Sequence, residues 1–308
     1  MSLKLFCILI AEPNNVKNQW SLEKANKSNL LRKDAERTQR ESKHELGKKM
    51  KRRSIVPGFT VAAILVGAFV TAYAAIVGEK KEGMVEYVGA QKTIFSTGKA
   101  ESVISLEDLA GRKDLYAIGP IDGLDGEITI FDSKPYITKV RGKYFVMDNT
   151  LKHGAFFLVW TEQGNWQDVP IRSTVKGYVD LQKFVKAQAL AAGIDVTKPF
   201  PFLVSGTPVE IKWHINVDRT GGKPITNELF VKSKEPFVTK NEPVDIVGFY
   251  SESHSGIFLS QYAPAIKEGS GMMNAMHIHH VSRTSKASGH IDDITLSEGM
   301  VLRLPQQQ

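Results

Sequence analysis

Residues 55–78 carry no charged side chain, and Lys48-Lys49-Met50-Lys51-Arg52-Arg53 stands just before them. A charge in hydrocarbon is costly, so a long uncharged run flanked by Lys and Arg is directed to a membrane. Near its end, Thr71-Ala72-Tyr73-Ala74-Ala75 offers the small-residue pattern Ala72-x-Ala74 of a signal-peptidase site. Three readings follow: a cleaved signal peptide, an anchor with a basic cytoplasmic tail, or a buried core helix. The first predicts a periplasmic or extracellular domain. The second predicts one held at the inner membrane, touching it through residues 55–78 alone. Residues 1–49 are rich in Lys, Glu, Asn, Gln and Ser, with no sustained apolar period. They are read as a basic polar tail, or as an upstream translation artefact if Met50 is the start. Residues 50–78 are then the signal peptide or membrane anchor, and 79–308 the folded domain.

The net charge of +7 belongs to the tail. Residues 1–53 hold 14 Lys and Arg against 6 Asp and Glu, whereas the remainder holds 26 against 27. A near-neutral folded part argues against a nucleic-acid surface. The single cysteine, Cys7, lies in the tail. It excludes an intramolecular disulfide and a cysteine-ligated metal, so any metal must be held by His and carboxylate.

From residue 79 onward strand and turn signals dominate. Val85-Glu86-Tyr87-Val88 alternates as a half-buried strand does. Ser105-Leu106-Glu107-Asp108 has the form of a helix N-cap box and predicts a short helix to about residue 110. Residues 115–118 and 127–131 read as strands separated by a glycine-rich turn region, and Asp132-Ser133 folds 127–131 back on 136–140 as a hairpin. Residues 156–160 form an unbroken apolar run, hence a buried strand. The best helix spans 178–192, with Leu181, Phe184, Val185 and Ala189 as its apolar stripe and Gly193 as its C-cap. Pro199 and Pro201 are expected to stop regular structure. Further strands are expected at 209–217, 230–231, 245–250, 276–282, 290–296 and 300–304, with a long loop at 251–273. The pattern predicts an α+β chain that is mainly β, with few short helices.

Four of the eight histidines fall between 277 and 290. On a strand, residues two apart share a face, so His277 and His279 converge while His280 points the other way, to an orienting role or the surface. The polar stretch 283–289 folds the next strand back so that His290 lies opposite His279. Three imidazoles on one face of a hairpin form a catalytic type of zinc arrangement, with a position left for water or substrate. Against it stands a set of polar surface histidines, or one core histidine with neighbours. Glu127 follows the turns Asp122-Gly123 and Asp125-Gly126 at the mouth of an apolar strand. It is a general acid or base, a metal ligand, or a solvated turn residue.

Two segments carry a resemblance to the α-acetolactate decarboxylases. Residues 119–136, with their core Leu124-Asp125-Gly126-Glu127, resemble the family's first signature. His277-Ile278-His279 through Ser288-Gly289-His290-Ile291-Asp292-Asp293 resembles its zinc signature, and the order of elements is similar from about residue 85 to 305. The resemblance implies mixed or antiparallel sheets packed around a zinc site, with Zn2+ held by His277, His279 and His290. It implies decarboxylation of 2-acetolactate, or a similar 2-hydroxy-3-keto acid, to acetoin through a zinc-stabilised enediolate, with Glu127 handling the proton. The implied partner is that small-molecule substrate; the oligomeric state stays open, a homodimer included. Two positions depart from the family. Its active-site arginine aligns here with His214, with Lys212 two places earlier on the same face as the alternative cation for the substrate's carboxylate. Its C-terminal glutamate is replaced in a chain that ends Leu304-Pro305-Gln306-Gln307-Gln308. These departures leave two other readings open: a divergent enzyme on the same scaffold, and a non-catalytic exported protein that binds zinc or a ligand.

Overall fold

The computed structural model describes residues 85–260 and 273–306, all within the compact unit Gly78–Gln308. The basic tail, the segment 55–78, residues 261–272 of the long loop, and Gln307 and Gln308 lie outside the described residues. Among the described residues no helix is long and apolar enough to cross a membrane.

The chain runs β1 (Glu86–Gly89), α1 (Thr93–Thr97), β2 (Ile104–Ser105), β3 (Leu115–Pro120), β4 (Glu127–Phe131), β5 (Lys134–Arg141), β6 (Tyr144–Asp148), β7 (Gly154–Ala155), β8 (Phe157–Glu162) and β9 (Trp166–Pro170). It continues with β10 (Val175–Lys176), α2 (Tyr178–Ala191), β11 (Phe200–Gly206), β12 (Glu210–Asn216), α3 (Asn227–Lys232), β13 (Lys234–Lys240), β14 (Val244–Tyr250), β15 (Met276–Ser282), β16 (Ser288–Leu296) and β17 (Val301–Pro305). One sheet has the order β1-β8-β3-β4-β5-β6. A larger one runs β13-β12-β16-β15-β14-β11-β17-β9, with β10 beside β16, and β2 and β7 form a short ribbon. All these strand pairs are antiparallel, so the fold is mainly β, with three short helices among the described residues.

Alternation along the strands sorts the side chains into layers. On β14, Val244 and Ile246 face α2, whose Leu181, Val185 and Ala189 cover the larger sheet. Val247 and Phe249 of the same strand face the smaller sheet and meet Ile118, Phe157 and Val159. The smaller sheet's other face carries Ala117, Ile128, Ile130 and Leu158 beneath Leu106 and Leu109. The two sheets therefore pack face to face, and whatever alternates with Ile128, Ile130 and Ile278 enters the layer between them.

The local reasons are simple ones. Asp132 and Ser133 both take positive φ, 50° and 63°, the geometry of a two-residue hairpin turn between β4 and β5. Ser105 caps a 3-10 turn, Leu106–Leu109, accepting from Glu107 N. Helix α2 ends where Gly193 takes φ 77° and Ile194 N reaches Ala189 O.

Two expectations are corrected. Residues 200–206 form a strand despite Pro201, because β17 pairs only with Leu203, Val204 and Ser205 and leaves the Pro201 end of β11 with one neighbour. Residues 230–231 lie in α3, not in a strand. Thr226 caps that helix by accepting from Leu229 N, and Glu228 pairs with Lys232 one turn on.

Candidate metal centre

His277 and His279 lie opposite Phe249 and Val247 on β14, which puts both imidazoles into the layer between the sheets. The β15–β16 register sets His290 opposite His279. The three rings lie 4.9 to 5.4 Å apart by their centroids, and one nitrogen from each falls within 4.8 Å of the others. His277 Nε2 and His279 Nε2 are 3.1 Å apart.

His277 and His279 are buried and His290 is half-buried, and burial disfavours the imidazolium. Burial pushes His277 down to about 3. Burial, followed by the mutual repulsion of the neighbouring rings, holds His279 and His290 well below the usual range. The rings are thus neutral, each with a lone pair to give. Thr129 Oγ1 lies 3.1 Å from His279 Nδ1, which leaves Nε2 facing the centre. His277 Nδ1 is buried without a hydrogen-bond partner. This all-nitrogen donor set suits a divalent metal such as zinc.

The smaller sheet brings the acid. Glu127 and Thr129 alternate with Ile128 and Ile130 on β4 and point toward β15. Glu127 Oε2 is 3.7 Å from His279 Nε2, and its Oε1 accepts from Asn216 N at 3.3 Å. Glu127 is 2% exposed, so it is no solvated turn residue. Burial drives its carboxyl well above the ordinary range, against the pull of Lys234 and of the Asn216 amide.

His214 stands opposite His290 on β12, with ring centroids 4.8 Å apart. Its Nδ1 meets Asp292 Oδ2 at 2.8 Å. Burial and then Lys234 lower its pKa, and Asp292 opposes them. Asp292 reaches this position through a β-bulge. Lys212 pairs with Asp293 but Trp213 pairs with Ile291, so Asp292 is the extra residue. The spacing of Ile291 and Ile294, which share a face, is the trace of this bulge in the sequence.

Lys212 does not enter the site. It shares the face of His214 but lies about 7 Å farther along the strand. There it is 54% exposed and pairs with Asp293 at 3.4 Å and Glu210 at 3.8 Å. His280, expected to orient a ligand or lie on the surface, is buried on the opposite face, edge-on to Trp213 with centroids 4.5 Å apart. Sequence reasoning missed Lys234, Asn216, Asp292 and Thr129. Lys234 and Asn216 line the cavity beside Glu127, His214, His277 and His290, and Phe156, Phe157 and Phe258 supply apolar wall. Burial lowers the Lys234 pKa, with Asp292 and then Glu127 opposing.

No protein-family model matches the chain, and no curated protein matches its sequence. Solved structures do match its fold. A Staphylococcus aureus protein of unknown function, described as similar to α-acetolactate decarboxylase, aligns at TM-score 0.55 and 14% identity over 73% of this chain and 86% of that one. The α-acetolactate decarboxylase of Bacillus subtilis strain 168 aligns at 0.55 and 17%, over 73% and 86%. The acetolactate decarboxylase of Bacillus subtilis subspecies spizizenii aligns at 0.56 and 17%, over 73% and 87%. At such identities the likeness is one of fold.

Proposed function

We propose that the chain is a divergent, exported member of the acetolactate decarboxylases. It would be a zinc-dependent carboxy-lyase that converts 2-acetolactate, or a similar 2-hydroxy-3-keto acid, to acetoin or its counterpart. The observation that carries this is the convergence of three neutral imidazoles, two of them buried, with the buried acid Glu127, 3.7 Å from His279, on a fold shared with such enzymes. His277, His279 and His290 would hold the zinc. Bound there, zinc would supply a Lewis acid that stabilises negative charge as it develops on the substrate's oxygens.

The chain's own residues do the rest. Thr129 fixes the His279 ring, so that its free nitrogen keeps one direction. Phe156, Phe157 and Phe258 exclude water from the reacting carbon and strengthen every charge interaction inside. The bond between the hydroxyl-bearing carbon and the carboxylate breaks, carbon dioxide leaves, and the electron pair stays with that carbon and its neighbouring carbonyl. Glu127, held in its protonated form by burial, gives the proton that completes the new C–H bond. Asp292 engages His214 Nδ1 and leaves Nε2 for a substrate oxygen. The same reading takes residues 50–78 as the export signal or anchor and allows assembly as a homodimer.

The test is acetoin formation from racemic 2-acetolactate by the zinc-loaded chain, with His279→Ala as control. Zinc-dependent release that the control lacks supports the proposal. A chain that holds zinc and releases no acetoin refutes the activity and favours another chelating substrate.

A further inference from the structure

Lys234 opens β13 with its side chain lining the cavity. Among the described residues its ammonium makes no direct hydrogen bond or ion pair; Nζ lies 5.3 Å from the centre of the Phe230 ring, and Asp292 and Glu127 act on its charge from farther off. Of the acids around it, Asp292 meets His214 through Oδ2 and leaves Oδ1 without a hydrogen bond, and Glu127 accepts from the Asn216 amide. Lys234 is half-buried, and a cation partly withdrawn from water with no direct partner in the protein is stabilised when an anionic ligand completes it.

Asn216 stands directly opposite Lys234 on β12, so the two side chains share a face. Asn216 is 4% exposed, and its Oδ1 has no hydrogen-bond partner. An unmet ammonium donor and an unmet amide acceptor thus line one cavity with the imidazoles.

We propose that Lys234 and Asn216 are the anchor for an α-hydroxy carboxylate, Lys234 pairing with the carboxylate and Asn216 Oδ1 accepting from the adjacent hydroxyl. This rests on the proposed function only in taking the ligand to be a hydroxy acid. It supplies the cation that Lys212, outside the cavity, does not. It also separates substrate from product: once carbon dioxide has left, the hydroxy ketone is neutral and Lys234 is again unpaired, so the product binds less tightly.

The test is calorimetric titration of the zinc-loaded full chain with two probes, 2-hydroxy-2-methylpropanoate and its neutral counterpart 3-hydroxybutan-2-one. Lys234→Met is expected to weaken the acid tenfold or more, to change the hydroxy ketone less than twofold and to keep the zinc. Lys234→Arg is expected to recover part of the acid's affinity. In the unaltered chain, which needs no variant to fold, sodium formate is expected to compete with the acid and not with the hydroxy ketone. Undiminished acid binding in zinc-loaded Lys234→Met, equal loss for both probes, or no competition by formate overturns the anchor and leaves the decarboxylase reading standing. Failure of both probes to bind the zinc-loaded unaltered chain overturns the functional reading, and the anchor with it.

Discussion

Lowering the pH from 7.5 to 5.5 should destabilise the metal-free chain by several kcal/mol. His214, His277, His279 and His280 are buried and His290 is half-buried, and loss of solvent lowers the pKa of each of the five. A histidine whose folded pKa lies below its unfolded value gives stability that is whole above the unfolded value, 6.5. That stability is lost as the pH falls below it, because the unfolded chain takes up protons that the native chain refuses. His277 and His280 are pushed to about 3 and about 4, so both stay neutral in the native chain at pH 5.5. One pH unit is worth about 1.4 kcal/mol per group, so these two alone withdraw about 3 kcal/mol at pH 5.5. The other three act in the same direction. Glu127 acts in the opposite one: its pKa is raised, so its contribution is whole below 4.5 and is lost as the pH rises through its folded value. One acid against five imidazoles leaves the slope set by the histidines. Urea denaturation of the chelator-treated chain at pH 7.5, 6.5 and 5.5 measures the effect. A fall of ~3 kcal/mol or more is expected, and stability flat to within ~1 kcal/mol across the window refutes the argument from burial.

Other substitutions separate the parts of the site. Glu127→Gln keeps the shape and removes the transferable proton; zinc content should be unchanged while turnover of 2-acetolactate falls by on the order of 10²–10⁴. Thr129→Val deletes the contact to His279 Nδ1, and zinc affinity measured by competition with a chelator should weaken by roughly tenfold or more. Gly289→Ala would bring a Cβ within 2.5 Å of Trp213 Cε3 and 2.8 Å of the His214 carbonyl. Thermal or urea unfolding should show a cost of about 1–3 kcal/mol, with weaker zinc binding because His290 and His214 shift with the backbone.

The histidine ladder was legible because its information is local. A period of two places His277 and His279 on one face, and the polar stretch between β15 and β16 is long enough to set His290 opposite His279 and no longer. The β4–β5 hairpin was legible for the same reason. What escaped is contributed from a distance. Lys234 reaches the cavity from an edge strand more than forty residues from the ladder, and only the packing of the two sheets shows that it faces Glu127. Lys212 looked the better cation because alternation gives the face of a strand but not where cover ends. The bulge at Asp292 breaks the alternation of β16, so Asp292 and Asp293 serve different partners. Phe230 and Val231 have strand-forming side chains, yet the Thr226 cap and the Glu228–Lys232 pair settle that segment as a helix. His280 was expected to orient a ligand or reach the surface because it points away from the ladder, but helix α2 covers that face of the sheet.

The most direct measurement is a titration of zinc into the chelator-treated chain with acetoin release from 2-acetolactate followed in the same vessel. Binding and turnover are expected to rise together and to saturate at one zinc per chain, and neither is expected in His279→Ala. Turnover without metal, or one zinc bound tightly with no turnover, would contradict that expectation.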